Sequence, residues 1–111
     1  MKKILIVDDD KNIIKALSFG LNKYYQIVFA HTVEVATRAI RILEPAAVIT
    51  DLNFVQDSGI TLLELCRDIC PDIKRILMTG DYESIDEEDS LIDLLIKKPF
   101  LEIEKIRNVI G

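Results

Sequence analysis

The chain has 111 residues, of which 50% are hydrophobic and 30% are charged, and its formal net charge is −5. This length and balance predict one domain, residues 1–111, with its own core, and exclude a disordered chain. The acidic balance argues against direct contact with nucleic acid, because phosphates attract clusters of lysine and arginine. The apolar runs are too short for a signal-peptide core or a membrane span. We therefore expect a cytoplasmic domain that contacts neither nucleic acid nor membrane.

Short apolar runs alternate with helical patterns along the chain. The runs predict strands at 4–7, 26–30, 46–49 (continuing to Thr50-Asp51), 73–78 and 94–96. Apolar residues spaced by three or four predict helices over 13–21, 33–43, 60–69 and 103–110, and a shorter one over 85–92. Strands that alternate with helices imply a parallel sheet with helices on both faces. The predicted fold is α/β: a doubly wound, flavodoxin-like, five-stranded sheet of order 2-1-3-4-5.

Three further features have simple structural interpretations. The acidic run over 81–93 has no basic residue and is expected to be a solvated face. Cys66 and Cys70 lie one turn apart on a predicted helix and are expected to be packing residues. His31 is expected to be a surface residue that lies away from the functional edge of the sheet.

Polar residues follow the ends of the predicted strands. Asp8 and Asp9 follow the first strand, Asp51 ends the third, Thr79 ends the fourth and Lys98 follows the fifth, with Lys97 before it. These ends share one edge of a parallel sheet, where ligands bind. Carboxylates held together cannot all stay ionised unless a cation or a proton neutralises them, and their oxygens suit Mg²⁺. A lysine and a threonine can hold a phosphoryl group, and an aspartate can accept one as an aspartyl phosphate.

This set of residues resembles the receiver domain of two-component response regulators, and the resemblance covers the whole chain. The matching motifs are Ile4-Leu5-Ile6-Val7-Asp8-Asp9-Asp10, Thr50-Asp51 with Gly59 after it, Leu77-Met78-Thr79-Gly80, and Lys98-Pro99-Phe100. Each motif alone is weakly specific. Their order and spacing together make the match specific.

The resemblance implies a role for each matched residue. Asp51 would be the phosphoacceptor, and Asp8, Asp9 and the backbone carbonyl of Asn53 would join it in holding Mg²⁺. Thr79 and Lys98 would bind the phosphoryl group. The implied donor is a phosphohistidine on a sensor histidine kinase or a phosphotransfer protein. Phosphorylation would change a binding face made of the fourth helix, the fifth strand and the last helix. That face would contact an output protein, an output domain missing from this chain, or a second copy in a homodimer.

Three departures from the family pattern fall outside the charged residues. Leu95 stands where receivers usually carry the aromatic residue that partners the switch threonine, here Thr79. Val55 stands where they usually carry a proline, and the stretch from Thr79 to Lys98 is about one helical turn short. The sequence therefore predicts intact chemistry and an altered output face. Asn53 and Asp81 would flank the path of an attacking water, which predicts a phosphoryl lifetime of minutes rather than hours.

Other functions stay open at this point. A run of aspartates after a strand can simply cap a helix. The chain could be a receiver that is never phosphorylated and binds partners constitutively. The Asp8-x-Asp10 pattern also resembles haloacid-dehalogenase-type phosphatases, with Asp8 as nucleophile and Asp10 as general acid. That alternative leaves Asp51 without a role, and this family needs a further acidic pair after its lysine and usually a cap, for which we expect the chain to be too short.

Overall fold

Five strands form one parallel sheet: β1 (Lys3–Val7), β2 (Gln26–Ala30), β3 (Ala47–Asp51), β4 (Lys74–Thr79) and β5 (Leu94–Lys97). Their order in the sheet is β2-β1-β3-β4-β5. This order confirms the predicted doubly wound α/β fold. The computed structural model describes residues 1–54, 57–86, 88–98 and 101–111, and of Tyr82 only the backbone. Val55, a departure from the receiver pattern, and Pro99-Phe100, part of a matching motif, lie outside the described residues.

Four α-helices connect or follow the strands in the described part of the chain: α1 (Lys11–Leu21), α2 (Val33–Leu43), α3 (Gly59–Ile69) and α4 (Ile103–Ile110). Short polar side chains begin the first three, because they accept backbone N–H groups that the first turn leaves unpaired. Asp10 caps α1, Thr32 caps α2 and Ser58 caps α3. With these caps, α1 and α2 begin only a few residues after β1 and β2 end, whereas a longer loop separates β3 from α3.

The helix predicted over 85–92 was wrong. A single 3₁₀ turn, Tyr82–Ser84, precedes this stretch, and its described residues (85, 86 and 88–92) form turns and irregular chain. Aspartate side chains here accept neighbouring backbone N–H groups: Asp86 from Glu88 and Asp89 from Leu91, both at 2.9 Å. Such local bonds compete with a helix, and a run without lysine or arginine offers no stabilising pairs one turn apart.

The sheet has an apolar layer on each face, because successive strand residues point to opposite sides. One layer joins residues such as Leu5, Val48 and Leu77 to α2, α3 and the stretch at 91–92. The other layer joins Ile6, Ile49 and the strand residues on the same side of the sheet to α1 and α4. None of the described helices is long and apolar enough to cross a membrane. Because apolar layers cover both faces of the sheet, its polar residues are concentrated at the edge where the strands end.

The two cysteines are packing residues, as predicted. Cys66 is fully buried on α3 and Cys70 is half-buried just after it. Burial raises the pKa of the Cys66 thiol to about 11, so this thiol stays protonated at neutral pH.

Candidate functional site at the carboxyl edge of the sheet

The fold brings three charged side chains from separate strand ends into contact. Asp8 follows β1, Asp51 ends β3 and Lys98 follows β5. The Lys98 ammonium lies 3.0 Å from Oδ1 of Asp51 and 3.2 Å from Oδ2 of Asp8. One lysine thus bridges two carboxylates across the middle of the sheet.

Asp8 is the most buried member of this cluster, with no exposed surface. Burial raises its pKa above the ordinary value of 3.8. A hydrogen bond from the backbone N–H of Asp10, at 2.8 Å, and the charge of Lys98 oppose that rise, while the charge of Asp51 adds to it. A second negative charge in this pocket is therefore energetically unfavourable, and a further cation nearby would reduce that cost.

Lys98 stays charged in this setting. Partial burial by itself lowers the pKa of its ammonium, but the hydrogen bond to Asp51 and the negative charges of Asp8 and Asp51 outweigh burial. The pKa of Lys98 is consequently raised above 10.5. The cluster thus has a permanent positive charge beside Asp51.

A third carboxylate completes an oxygen-rich pocket. One carboxylate oxygen from each of Asp8, Asp9 and Asp51 lies within 4.8 Å of the others. Asp9 is exposed and Asp51 half-buried, so the pocket is open to solvent on one side. Hard divalent cations such as Mg²⁺ prefer a few carboxylates together with waters. This set of ligand atoms fits such an ion.

The other predicted residues lie on strands of the sheet or in the segments that follow them. Thr79 is buried at the end of β4, where its Oγ1 accepts the backbone N–H of Asp81 at 2.8 Å and its carbonyl accepts that of Lys98 at 2.9 Å. Asn53 and Asp81 are exposed, and Leu95 is buried in the layer beneath α2 and α3. The two exposed residues can therefore meet solvent, whereas Leu95 acts as a packing residue.

Gly59 shapes the site in a way that its place in the motif did not reveal. Its backbone N–H donates to the carbonyl of Leu52 at 2.6 Å, which closes the loop after β3. A Cβ at this position would run into the carbonyl oxygen of Asp51 and lie 3.1 Å from Cα of Leu52. Only glycine allows α3 to start so close to Asp51.

The prediction that His31 lies away from the functional edge was wrong. His31 is exposed, but its Nδ1 lies 3.2 Å from the backbone oxygen of Asp8, within hydrogen-bond distance. The strand-end rule that located the other residues also applied here, because His31 directly follows β2.

The family model of the response regulator receiver domain matches residues 4–110. The chain belongs to the receiver family. This match includes every charged residue of the cluster, so the receiver resemblance seen in the sequence is confirmed.

Curated relatives are similar over most of the chain. The transcriptional regulatory protein KdpE of Mycobacterium tuberculosis is 32% identical over 103 residues, which are 90% of this chain and 46% of the relative. The photosynthetic apparatus regulatory protein RegA of Rhodovulum sulfidophilum is 31% identical over 78 residues, 69% of this chain and 43% of the relative. The chain thus spans less than half the length of these relatives.

Solved receiver structures match the whole fold. A receiver domain from Methanospirillum hungatei superposes with a TM-score of 0.88 at 27% identity, covering 99% of this chain and 94% of the other. One from Methylobacillus flagellatus gives 0.88 at 23% identity and covers 100% and 99%. The second likeness supports the fold alone.

Proposed function

We propose that the domain is a phosphoacceptor that receives a phosphoryl group on Asp51 from a phosphohistidine of a sensor histidine kinase or phosphotransfer protein. The observation that carries this proposal is the bridge by Lys98 between Asp51 and the buried Asp8. Receiver domains belong to two-component signalling proteins, and the relatives KdpE and RegA are regulatory proteins. A fixed cation beside one half-exposed carboxylate suits transfer of an anionic group.

The two carboxylate oxygens of Asp51 have different surroundings. Oδ1 accepts the backbone N–H of Leu52 at 2.9 Å and contacts Lys98. We therefore propose that Oδ2 attacks phosphorus, forming the P–O bond as the P–N bond of the donor histidine breaks. Lys98 then pairs with the charge that arrives, and Thr79 Oγ1 donates to a phosphoryl oxygen.

Mg²⁺ is the proposed cofactor, held by Asp8, Asp9, Asp51 and the carbonyl of Asn53. When bound, it would supply positive charge to the phosphoryl oxygens. The chain itself holds the carboxylates in position for the ion. The Asp8 side chain is fixed through Asp10 and Lys98, so the pocket needs little rearrangement.

Output is proposed to pass through a partner or domain outside this chain. The predicted binding face included a fourth helix that the described residues do not form. We propose that β5, α4 and the stretch before β5 make the face, with Leu95 beneath it. The partner is an output protein, an output domain of a longer chain, or a second copy. We place this module in the cytoplasm, away from direct nucleic-acid and membrane contact.

The lifetime of the phosphoryl group is proposed to be minutes, set by Asn53 and Asp81. Both are exposed polar residues near the ends of the strands that carry Asp51 and Thr79. Asn53→Ala and Asp81→Ala are each expected to change the rate of dephosphorylation severalfold, because a polar group there orients water. Unchanged decay of the phosphorylated form in both variants would remove these residues from the account.

The decisive experiment is intact-protein mass after incubation with Mg²⁺ and acetyl phosphate. Wild type should gain one phosphoryl group, and chelation of Mg²⁺ should prevent the gain. Asp51→Asn should show none, because an amide cannot replace the nucleophilic carboxylate. Under the phosphatase alternative, with Asp8 as nucleophile, Asp51→Asn would be nearly silent.

A second candidate function follows from the stretch between β4 and β5. The helix predicted there is absent among the described residues, and Leu95 offers neither a ring nor a hydroxyl as a readout. These features favour a constitutive protein-binding module. Absence of any phosphoryl adduct on wild type, with Mg²⁺ binding intact, would make this function the leading one.

A further inference from the structure

A groove runs between α1 and the unpaired edge of the sheet, outside the carboxylate cluster. β2 pairs with β1 on one side and forms the sheet's edge on the other. The groove has a volume of about 520 Å³. Its lining residues are Lys11, Ile14, Lys15, Ser18, Phe19, Asn22, Phe29 and His31. We call this surface the α1–β2 groove.

Two aromatic rings stand exposed on the walls of the α1–β2 groove. Phe19 on α1 is 86% exposed and Phe29 on β2 is 57% exposed. Ile14, which is buried, also lines the groove. Single exposed apolar residues are ordinary, so the notable feature is that these two phenylalanines line the same concave surface.

The charge of the groove opposes that of the chain. The chain carries a net charge of −5, yet the groove is lined by two lysines and no carboxylate. Lys11, Lys15 and Phe19 follow at intervals of four residues, so they form one stripe along α1. Within the described residues, neither lysine has an ion-pair partner in the chain.

We propose that the α1–β2 groove binds an acidic, amphipathic peptide segment of another protein. Apolar side chains of that segment would sit between Phe19 and Phe29, and its carboxylates would pair with Lys11 and Lys15. Charge complementarity selects this occupant. Two copies joined groove to groove would oppose lysine with lysine, which disfavours a second copy. A nucleic acid would need a larger cluster of basic residues than these two lysines.

The test is selection from a phage-displayed library of random linear peptides against the wild-type chain. Enriched sequences should combine acidic with apolar residues. A synthetic peptide of such a sequence, labelled for fluorescence anisotropy, should bind wild type with an affinity that falls as salt rises. Asp51→Asn should bind it equally well, which separates this groove from the phosphoryl site.

Groove variants should weaken binding in proportion to their contact with the peptide. Phe19→Ser and Phe29→Ser should each weaken it about tenfold or more, and Lys15→Gln about threefold, with a smaller salt dependence. Ile42→Ser is the matched control, because Ile42 is 77% exposed but lies on α2 outside the groove. The affinity of Ile42→Ser for the peptide should equal that of wild type. Circular dichroism should show that all variants are folded.

Three results would overturn the proposal. The first is failure of the library to enrich acidic, apolar peptides, or enrichment of peptides whose affinity ignores Phe19→Ser and Phe29→Ser. The second is self-association of the wild-type chain, seen by sedimentation velocity and lost in Phe19→Ser, which would assign the groove to a second copy. The third is binding to phosphatidylserine vesicles that both phenylalanine variants lose, which would assign it to a membrane surface.

Discussion

The carboxyl edge of the sheet and the stretch between β4 and β5 are held in place by different forces. At the edge, the lysine that follows β5 joins carboxylates that follow β1 and end β3. In the stretch before β5, a buried arginine of β4 holds the chain through backbone carbonyls. Arg75 is only 8% exposed, and it donates to Leu91 at 2.8 Å, Pro71 at 3.0 Å, Ile73 at 3.3 Å and Ser90 at 3.5 Å.

Asp93 reinforces this second attachment. Its carboxylate accepts the backbone N–H of Arg75 at 2.7 Å, and its own N–H donates to the Arg75 carbonyl at 2.8 Å. A guanidinium has five donors in a fixed fork, so one side chain can satisfy several carbonyls that a helix would otherwise satisfy internally. The described residues of this stretch form no regular α-helix, and the chain next to β5 is nevertheless fixed in place.

The largest expected effect comes from Arg75→Ala. It would leave buried carbonyls at Leu91 and Ile73 without a donor, so we expect a loss of about 3 kcal/mol in the free energy of unfolding. Urea denaturation measures this loss. Arg67→Ala is the matched control, since Arg67 is exposed and meets Asp68 only at the surface; it should cost less than about 0.5 kcal/mol. At a temperature where it is folded, Arg75→Ala should still accept a phosphoryl group on Asp51.

A cost below about 1 kcal/mol for Arg75→Ala would show that the apolar contacts of Leu91 and Ile92, not the arginine, hold this stretch. Loss of phosphorylation in the folded variant would also contradict the comparison. It would mean that the geometry of the carboxyl edge depends on how the stretch between β4 and β5 is held.

Gly59→Ala should act on the other region. Its Cβ would collide with the Asp51 carbonyl, so we expect a loss of about 2 kcal/mol and a much lower phosphorylation rate. Gly80→Ala is the control, because a Cβ there meets no atom within 4 Å and its φ is not in the left-handed region. Thermal unfolding and the acetyl phosphate reaction measure both effects. Equal behaviour of the two variants would disprove the tight approach at Gly59.

The smallest expected effect is the response of stability to Mg²⁺ and pH. Folding raises the pKa of Asp8 above 3.8, so the folded state binds this proton more tightly than the unfolded state. Without Mg²⁺, this group makes stability fall as pH rises from 3.8 through the raised pKa, and its contribution is constant above it. Mg²⁺ needs the ionised carboxylate, so its stabilisation should grow over the same window.

At ten times its dissociation constant, Mg²⁺ should stabilise the chain by about 1.4 kcal/mol above that window. Denaturation at several pH values, with Mg²⁺ or chelator, checks this, and Asp8→Asn should remove both the slope and the gain. A gain that is independent of pH in wild type would place the ion away from Asp8. The contribution of Lys98, present below pH 10.5, should disappear as pH rises through its raised pKa.

Much of the fold and the site could be predicted from the sequence because they depend on patterns within a few residues. The apolar runs marked the strands, and their alternation with helices gave the strand order. The rule that parallel strands end at one edge predicted that Asp8, Asp51 and Lys98 lie close together. The same rule included His31, but the edge position of β2 led to the wrong expectation for that residue.

The stretch over 85–92 could not be predicted in this way. Its apolar spacing indicated a helix, while its aspartates form local hydrogen bonds to the backbone, and sequence spacing alone does not decide between the two. The side chain that binds this stretch, Arg75, lies 16 residues before Leu91. In the sequence it is only a polar residue within an apolar strand.

The sequence by itself determined the order of the elements, the charged residues at the strand ends and the family that they indicate, because these depend on local periodicity and short motifs. Only the tertiary structure decided which atoms meet: Lys98 between two carboxylates, Gly59 against the Asp51 carbonyl, Arg75 beneath the stretch before β5 and two phenylalanines on one groove. These residues belong to different strands and helices or to the loops beside them. Their distances and burial are set by packing of the whole sheet, which no local pattern contains.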